Sequence, residues 1–165
     1  MKNRGITLIE LIVAVSIVGI LAAAFAFEFQ GWMGTYKVES QIKEMYVDLL
    51  NARTRAMQKN RMHFVSLVTT QYTIYEDTNT APNGNKTLET ATPGDTLVLQ
   101  KNLNPEYSIT WTTGNPVRFD TKGFIPLTDT GSIRVSSSSN ADYDCIVLAE
   151  TRINMGKWNG SCVTK

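Results

Sequence analysis

One acid in a long apolar run is the residue of this sequence whose position most needs a chemical explanation. Glu10 lies in a stretch of 22 residues, Ile6 to Phe27, that is otherwise without charge. A charged side chain costs about 2.5–3.5 kcal/mol at the centre of a bilayer and less near the end of a span. Such a residue is a functional candidate by default, and the chemistry open to Glu10 is an ion pair with a cation supplied from elsewhere.

Catalytic groups are much harder to assemble from this sequence. His63 is the single histidine, which excludes a multi-histidine metal site, and we expect it at the surface or an edge of a predicted strand. The serines from Ser136 to Ser139 lack the glycines of a nucleophile elbow, and no glycine-rich segment precedes a helix as a phosphate loop requires. The sequence therefore predicts no enzyme, no metal and no cofactor.

The apolar run is long enough to cross a membrane as a helix. At about 1.5 Å per residue, 22 residues exceed a hydrocarbon layer of roughly 30 Å. Lys2 and Arg4 precede the run, which favours a cytoplasmic N-terminus and export of everything after Glu28. A secretory signal cleaved at Ala24-Phe25-Ala26 and a plain single-span anchor both fit this outline, but neither accounts for Glu10.

Export determines what the two cysteines, Cys145 and Cys162, are expected to do. Two cysteines in an oxidising compartment predict a disulfide. Closing a loop of about 17 residues would stabilise the fold by roughly 3 kcal/mol through the entropy of the unfolded chain.

Behind the span, the pattern predicts a second, amphipathic half of the same helix, over residues 29–61. Gly31 and Gly34 lower helix propensity by about 1 kcal/mol each, so we expect a bend or a loss of helix there. Tyr46, Leu50 and Met57 are expected to widen the apolar stripe, and Asn60 to end the helix. The stripe itself follows helical spacing through Val38, Ile42, Met45, Leu49, Ala52 and Ala56.

After residue 61 the period changes to that of strands. MHFVSLV and YTIYED predict a hairpin, and residues 78–96 a long loop rich in Thr, Asn, Pro and Gly. Five oxygen-bearing residues around that loop could hold calcium, but their spacing favours turns instead: Asp77, Asn79, Asn83, Asn85 and Asp95. Further short strands follow without intervening helices: TLVLQ, YSITW, PVRFDT, SIRVSS and CIVLAET. The fold class is therefore α+β, a long N-terminal helix packed on an antiparallel β-rich head over residues 62–165.

The N-terminal residues MKNRGITLIE, followed by about twenty apolar residues, closely resemble the processing motif of type IV pilins and type II secretion pseudopilins. The resemblance implies a leader peptide of residues 1–5, cleavage after Gly5 by a prepilin peptidase, and methylation of the new N-terminus on Ile6. It also implies that Glu10 pairs with the N-terminal amine of a neighbouring subunit. Two residues depart from the usual pattern: Ile6 stands where Phe is most common, and Phe27 where many members have a helix-bending proline.

The later part of the chain resembles the GspH/FimT group of minor pilins and pseudopilins. A helix that ends in NARTRAMQKN, a first hairpin, the segment PVRFDTKGF and a last strand near the C-terminus follow in the order of that group. The resemblance implies a head of two antiparallel sheets and a place at or near the tip of a filament. The expected partners are other pilins through helix 6–28, the peptidase, and the bacterial inner membrane before assembly, with the head in the periplasm.

A binding role for the head is the alternative to a filament subunit. Some members of the resembled group bind DNA during uptake, and the corresponding region here, ETRINMGKWNGSCVTK, offers Arg152, Lys157 and Lys165 beside Trp158. The expected glycine-arginine pair is missing, and an exposed loop tied by the disulfide is the favoured interpretation. The chain as a whole is close to neutral, with 16 basic and 15 acidic residues, which argues against a general polyanion binder.

Overall fold

The computed structural model describes residues 6–79, 84–91, 93–137 and 139–165. Its dominant element is one helix, α1, Leu8–Lys59, which is 52 residues long. The helix continues through Gly31 and Gly34, so the loss of helix expected there does not occur. Helix propagation is cooperative, and the long flanking turns offset the low propensity of two glycines. Asn60 ends the helix in the left-handed conformation, with φ 52° and its N–H on Ala56 O, as its position predicted.

In the described residues nine strands follow the helix, and every pairing between them is antiparallel. They form a four-stranded sheet of order β3-β2-β1-β5 and a five-stranded sheet of order β4-β6-β7-β8-β9. The α+β class with two antiparallel sheets is thereby confirmed. The strand bounds are β1 His63–Val68, β2 Gln71–Glu76, β3 Thr96–Asn102, β4 Ile109–Trp111, β5 Val117–Phe119, β6 Gly131–Val135, β7 Cys145–Leu148, β8 Ile153–Trp158 and β9 Cys162–Thr164.

The predicted apolar stripe of α1 lies in the core. All six of its residues are at most 1% exposed, and they pack with buried side chains from both sheets. Tyr46 and Leu50 widen the stripe as expected, but Met57 is 45% exposed and lies outside the core. One continuous face of the helix therefore packs against both sheets.

Polar contacts attach the same helix to the head at fixed points. Glu39 accepts hydrogen bonds from Lys43 Nζ at 2.8 Å and from the backbone N–H of Asp142 at 3.0 Å. Gln41 Nε2 donates to the carbonyl of Tyr107 at 2.7 Å. These bonds link α1 to two separate loops, so they fix its rotation against the sheets.

The first sheet is joined to the helix by a second polar contact. The Tyr72 hydroxyl, on β2, donates to Asp48 Oδ2 at 2.6 Å, and Lys101 Nζ, on β3, lies 2.9 Å from the same oxygen. Burial, and then the bond to Asp48, raise the pKa of Tyr72, which therefore stays protonated and continues to donate.

Two expectations about the head are wrong. The C-terminal segment expected to be an exposed loop contains β8 and β9, which continue the second sheet beyond β7. His63, expected at the surface or an edge, is fully buried, because β1 lies between β2 and β5 and packs against α1.

Candidate functional site

The start of α1 is set by Thr7. Its backbone is extended, with φ −77° and ψ 151°, and its hydroxyl accepts a hydrogen bond from the backbone N–H of Glu10 at 3.3 Å. Thr followed three residues later by Glu has the spacing of a capping box, a feature the sequence contained but the resemblance alone did not explain. Thr7 thus places Glu10 in the first turn, where the helix dipole favours a negative charge.

Glu10 is exposed, and no side chain among the described residues binds its carboxylate. Ile6, just before the helix, is 76% exposed, while Gly5 lies outside the described residues. Leu8–Phe25 is a stretch of 18 residues long and apolar enough to cross a membrane, and none of it is buried. The chain therefore presents a bare apolar helix with one carboxylate at its start, and whatever covers this helix must come from outside the described residues.

The cysteines occupy a different part of the molecule and form a disulfide between Cys145 and Cys162. Cys145 belongs to β7 and Cys162 to β9, so the bond spans β8, which lies between them. Gly156 of β8 pairs with Cys145, and a Cβ at this glycine would lie 3.2 Å from Cys162 Sγ and 2.3 Å from Val163 O. The disulfide holds the edge strand β9 in the sheet, and Gly156 leaves the space that this arrangement needs.

The structure does not assemble the candidate DNA-binding residues into one patch. Lys157 Nζ donates to Asn140 Oδ1 at 2.7 Å, and Lys165 Nζ pairs with Asp142 at 2.7 Å. Arg152 is exposed in the turn before β8, six residues from Trp158, which is about 20 Å along a strand. Two of the three cations are therefore already engaged, and the third is remote from the indole.

Trp158 itself has another partner. Lys157 and Trp158 are successive residues of β8, so their side chains point to opposite faces of the second sheet. The guanidinium of Arg134, on β6, lies 4.6 Å from the centre of the Trp158 ring. The cation beside this aromatic ring thus comes from a strand that the sequence did not single out.

The basic end of α1 is neutralised by the first sheet. Glu76, at the end of β2, lies 2.5 Å from Lys59 Nζ and 3.4 Å from Arg61 Nη1. Burial alone would raise the pKa of Glu76, but the bond from Lys59 and the charges of Lys59 and Arg61 lower it. Lys59 and Arg61 therefore combine an ion pair with a favourable position at the C-terminal end of the helix dipole.

In the loop considered as a calcium site, backbone N–H groups bind the carboxylate of Asp77. Asp77 is fully buried, and its two oxygens accept hydrogen bonds from the N–H groups of Asn85 at 3.0 Å and Lys86 at 2.7 Å. Burial raises the pKa of Asp77, although these two bonds act in the opposite direction. Asn83 lies outside the described residues. The carboxylate of Asp77 therefore organises a turn, as the spacing favoured.

Arg118, on β5, forms an ion pair that the sequence did not indicate. Arg118 donates to both oxygens of Asp129, from Nε at 2.7 Å and Nη2 at 2.8 Å, and Asp129 is only 3% exposed. Burial would raise the pKa of Asp129, but the bonds from Arg118 and Thr128 outweigh it, and the net pKa is lowered. A bidentate pair of this kind fixes the segment between β5 and β6.

Comparison with known proteins supports the N-terminal motif and the fold separately. Residues 1–26 match the family model of the prokaryotic N-terminal methylation motif. The structure resembles the crystal structure of the minor pseudopilin EpsH from the type II secretion system of Vibrio cholerae, with a TM-score of 0.55 and 10% sequence identity. The similarity covers 76% of this chain and 99% of that one. No curated protein matches the sequence closely enough to be counted as a relative.

Two features thus relate the chain to known proteins. Its N-terminus carries the prokaryotic methylation motif at the start of an apolar helix. Its fold, one long helix packed on two antiparallel sheets, is similar to that of a minor pseudopilin.

Proposed function

We propose that this chain is a minor subunit that helps to initiate or cap a type IV pilus or a type II secretion pseudopilus. It is made as a prepilin, cleaved after Gly5 by the prepilin peptidase and methylated on Ile6. Before assembly it stands in the inner membrane on a single span with its head in the periplasm. In the filament, its apolar helix packs against the helices of sister subunits.

The observation that carries this proposal is the bare apolar helix with Glu10 in its first turn. An exposed helical stretch of 18 residues, apolar apart from Glu10 and Ser16, is stable only in lipid or against other apolar helices. Glu10 has no cationic partner among the described residues, and a carboxylate in such surroundings needs one. The methylated amine of a neighbouring Ile6 is a suitable partner, because methylation leaves the amine cationic near neutral pH.

We expect assembly, but not membrane insertion, to depend on Glu10, because the ion pair forms only between subunits. Near the end of the span, the carboxylate can reach the headgroup layer, so a lone subunit tolerates it in the membrane. Inside a bundle of helices that route to water is closed, and the carboxylate must be neutralised by a fixed cation. Glu10 thus favours the positions in the bundle where a neighbour presents its N-terminus.

Replacing the carboxylate with an amide of the same shape tests the proposal. We expect Glu10→Gln to be cleaved and inserted normally but to be depleted from sheared filament fractions by about ten- to hundredfold, the equivalent of a charge-assisted bond of 1.5–3 kcal/mol. The matched control is Glu106→Gln, which removes an exposed carboxylate from the head. Incorporation of Glu10→Gln at the level of this control would contradict the pairing and favour an anchored binding domain outside the filament.

A further inference from the structure

An aromatic pair lies exposed on α1 just beyond the apolar span. Trp32 is 63% and Tyr36 60% exposed, and their rings stack with centroids 6.2 Å apart. The two residues are four positions apart, so they share one face of the helix. Large aromatic side chains exposed together on a helix are typical of a surface that contacts lipid or another molecule.

The described part of the head leaves Trp32 exposed. At 100° per residue, Trp32 lies about 120° around the helix from Val38, where the buried stripe begins. The head reaches this level on another side, since a Cβ at Gly34 would be 3.6 Å from the Tyr107 hydroxyl. Tyr36 borders grooves that β3 and Tyr107 also line, whereas Trp32 faces away from both sheets.

The position of the pair along the helix matches the headgroup layer of a bilayer. If residues 8–27 fill a hydrocarbon core of about 30 Å, Trp32 lies about 7.5 Å beyond it, and the headgroup layer is roughly 5–7 Å thick. Long side chains on a helix point back toward its N-terminus, so the ring of Trp32 is directed toward the lipid and that of Tyr36 toward Trp32. Tryptophan and tyrosine are the residues that favour this layer.

We propose that Trp32, with Tyr36 stacked on its outer side, anchors the subunit in the lipid headgroup layer on the side of the head, and so fixes how deep the helix stands in the membrane before assembly. The inference rests on the proposed function, because it requires a membrane-inserted subunit. The aromatic side chain follows directly after the membrane span, so lipid rather than a neighbouring subunit contacts it.

Fluorescence quenching by brominated lipid measures the depth of Trp32. The full chain is reconstituted sparsely in phosphatidylcholine and phosphatidylglycerol vesicles that carry bromine either near the headgroup or near the chain end. The signal of Trp32 is the difference between the wild type and Trp32→Phe, since Trp111 and Trp158 remain in both. We expect the shallow bromine to remove more of the Trp32 emission than the deep one.

Two further variants, made in the Trp32→Phe background, provide depth markers. Phe25→Trp places an indole about 3 Å inside the head-side end of the span and is expected to be quenched by lipid bromine. Val47→Trp places one on the same helix face as Tyr36, at a residue 52% exposed and about 22 Å beyond Trp32, and is expected to be unquenched.

The markers separate the two ways in which the inference can fail. Unquenched Trp32 beside a quenched Phe25→Trp would overturn the anchor while leaving membrane insertion intact. Deep quenching of Trp32 would overturn it as well, because the ring would lie in hydrocarbon. If neither probe is quenched, membrane insertion fails, and with it both the inference and the proposed function.

Discussion

At the scale of single residues, Gly156 shows how a disulfide determines the identity of a residue in the strand it spans. The bond between Cys145 and Cys162 joins β7 to β9, and β8 lies between those strands. Any Cβ at residue 156 would contact the backbone of Val163 at 2.3 Å, which real structures do not tolerate. The two cysteines were evident from the sequence, but the need for this glycine depends on three strands that are brought together only by folding.

We expect Gly156→Ala to lower the free energy of unfolding by about 1–3 kcal/mol, the usual cost of overpacking. The matched control is Gly31→Ala, because a Cβ at Gly31 meets nothing within 4 Å and alanine favours a helix by about 1 kcal/mol. Chemical denaturation of the full chain in mild detergent measures both. A Gly156→Ala variant as stable as the wild type would mean that β9 does not lie where the structure places it.

His63 is the residue whose surroundings differ most from the expectation. Its side chain is buried beside Glu76, and Nδ1 lies 3.2 Å from the carbonyl of Arg61, while Nε2 has no hydrogen-bond partner among the residues that the structure describes. Burial lowers the pKa of His63, although the carbonyl of Arg61 and the charge of Glu76 act in the opposite direction. The folded chain therefore holds the imidazole neutral at a pH where the unfolded chain has begun to protonate it.

This lowered pKa predicts an acid-dependent loss of stability. The contribution of the neutral imidazole is complete above a pH of about 6.5 and is lost as the pH falls below it, because the unfolded chain then binds more protons. The chain has one histidine, so the effect can be assigned. We expect the free energy of unfolding to fall between about pH 7 and pH 5.5 in the wild type but much less in His63→Phe. Parallel profiles for the two proteins would show that His63 is not the group responsible.

At the scale of elements, α1 was predictable and the last two strands were not. The sequence alone predicts the helix and its buried face, because six apolar residues follow one another at intervals of four and three positions. Ile153–Trp158 contains Asn, Gly and Lys, and Cys162–Thr164 has only three residues, so neither has a strand pattern of its own. Their conformation comes from long-range pairing with β7 and from the disulfide.

The buried stripe makes a prediction about the helix as an element. We expect Leu49→Ala, at a residue 1% exposed, to cost about 2–5 kcal/mol of unfolding free energy, because it leaves a cavity between α1 and the sheets. Val47→Ala, two residues away and 52% exposed, should change stability by less than about 0.5 kcal/mol. Denaturation curves of the full-length variants give both values. Equal effects at the two positions would contradict the packing of this helix face.

At the scale of the whole molecule, the head has a buried core of its own, whereas Leu8–Phe25 of α1 is exposed along its whole length. Both sheets contribute buried side chains to that core, and the carboxylates of Asp77 and Glu76 are bound within the fold. The distribution of strands between the two sheets could not be predicted, because β4 and β5 have three residues each and join different sheets. The N-terminal methylation motif could be predicted, because it is a linear pattern that needs no folding to be recognised.

The mature N-terminus is the most direct test of what the molecule does. The proposed filament subunit must lose its leader so that an amine at Ile6 is available to the Glu10 of a neighbour. Intact-mass and terminal-peptide mass spectrometry of the chain purified from membranes measures this directly. We expect a chain that begins with methylated Ile6. A chain that begins at Met1, or at Glu28 after secretory cleavage, would contradict it.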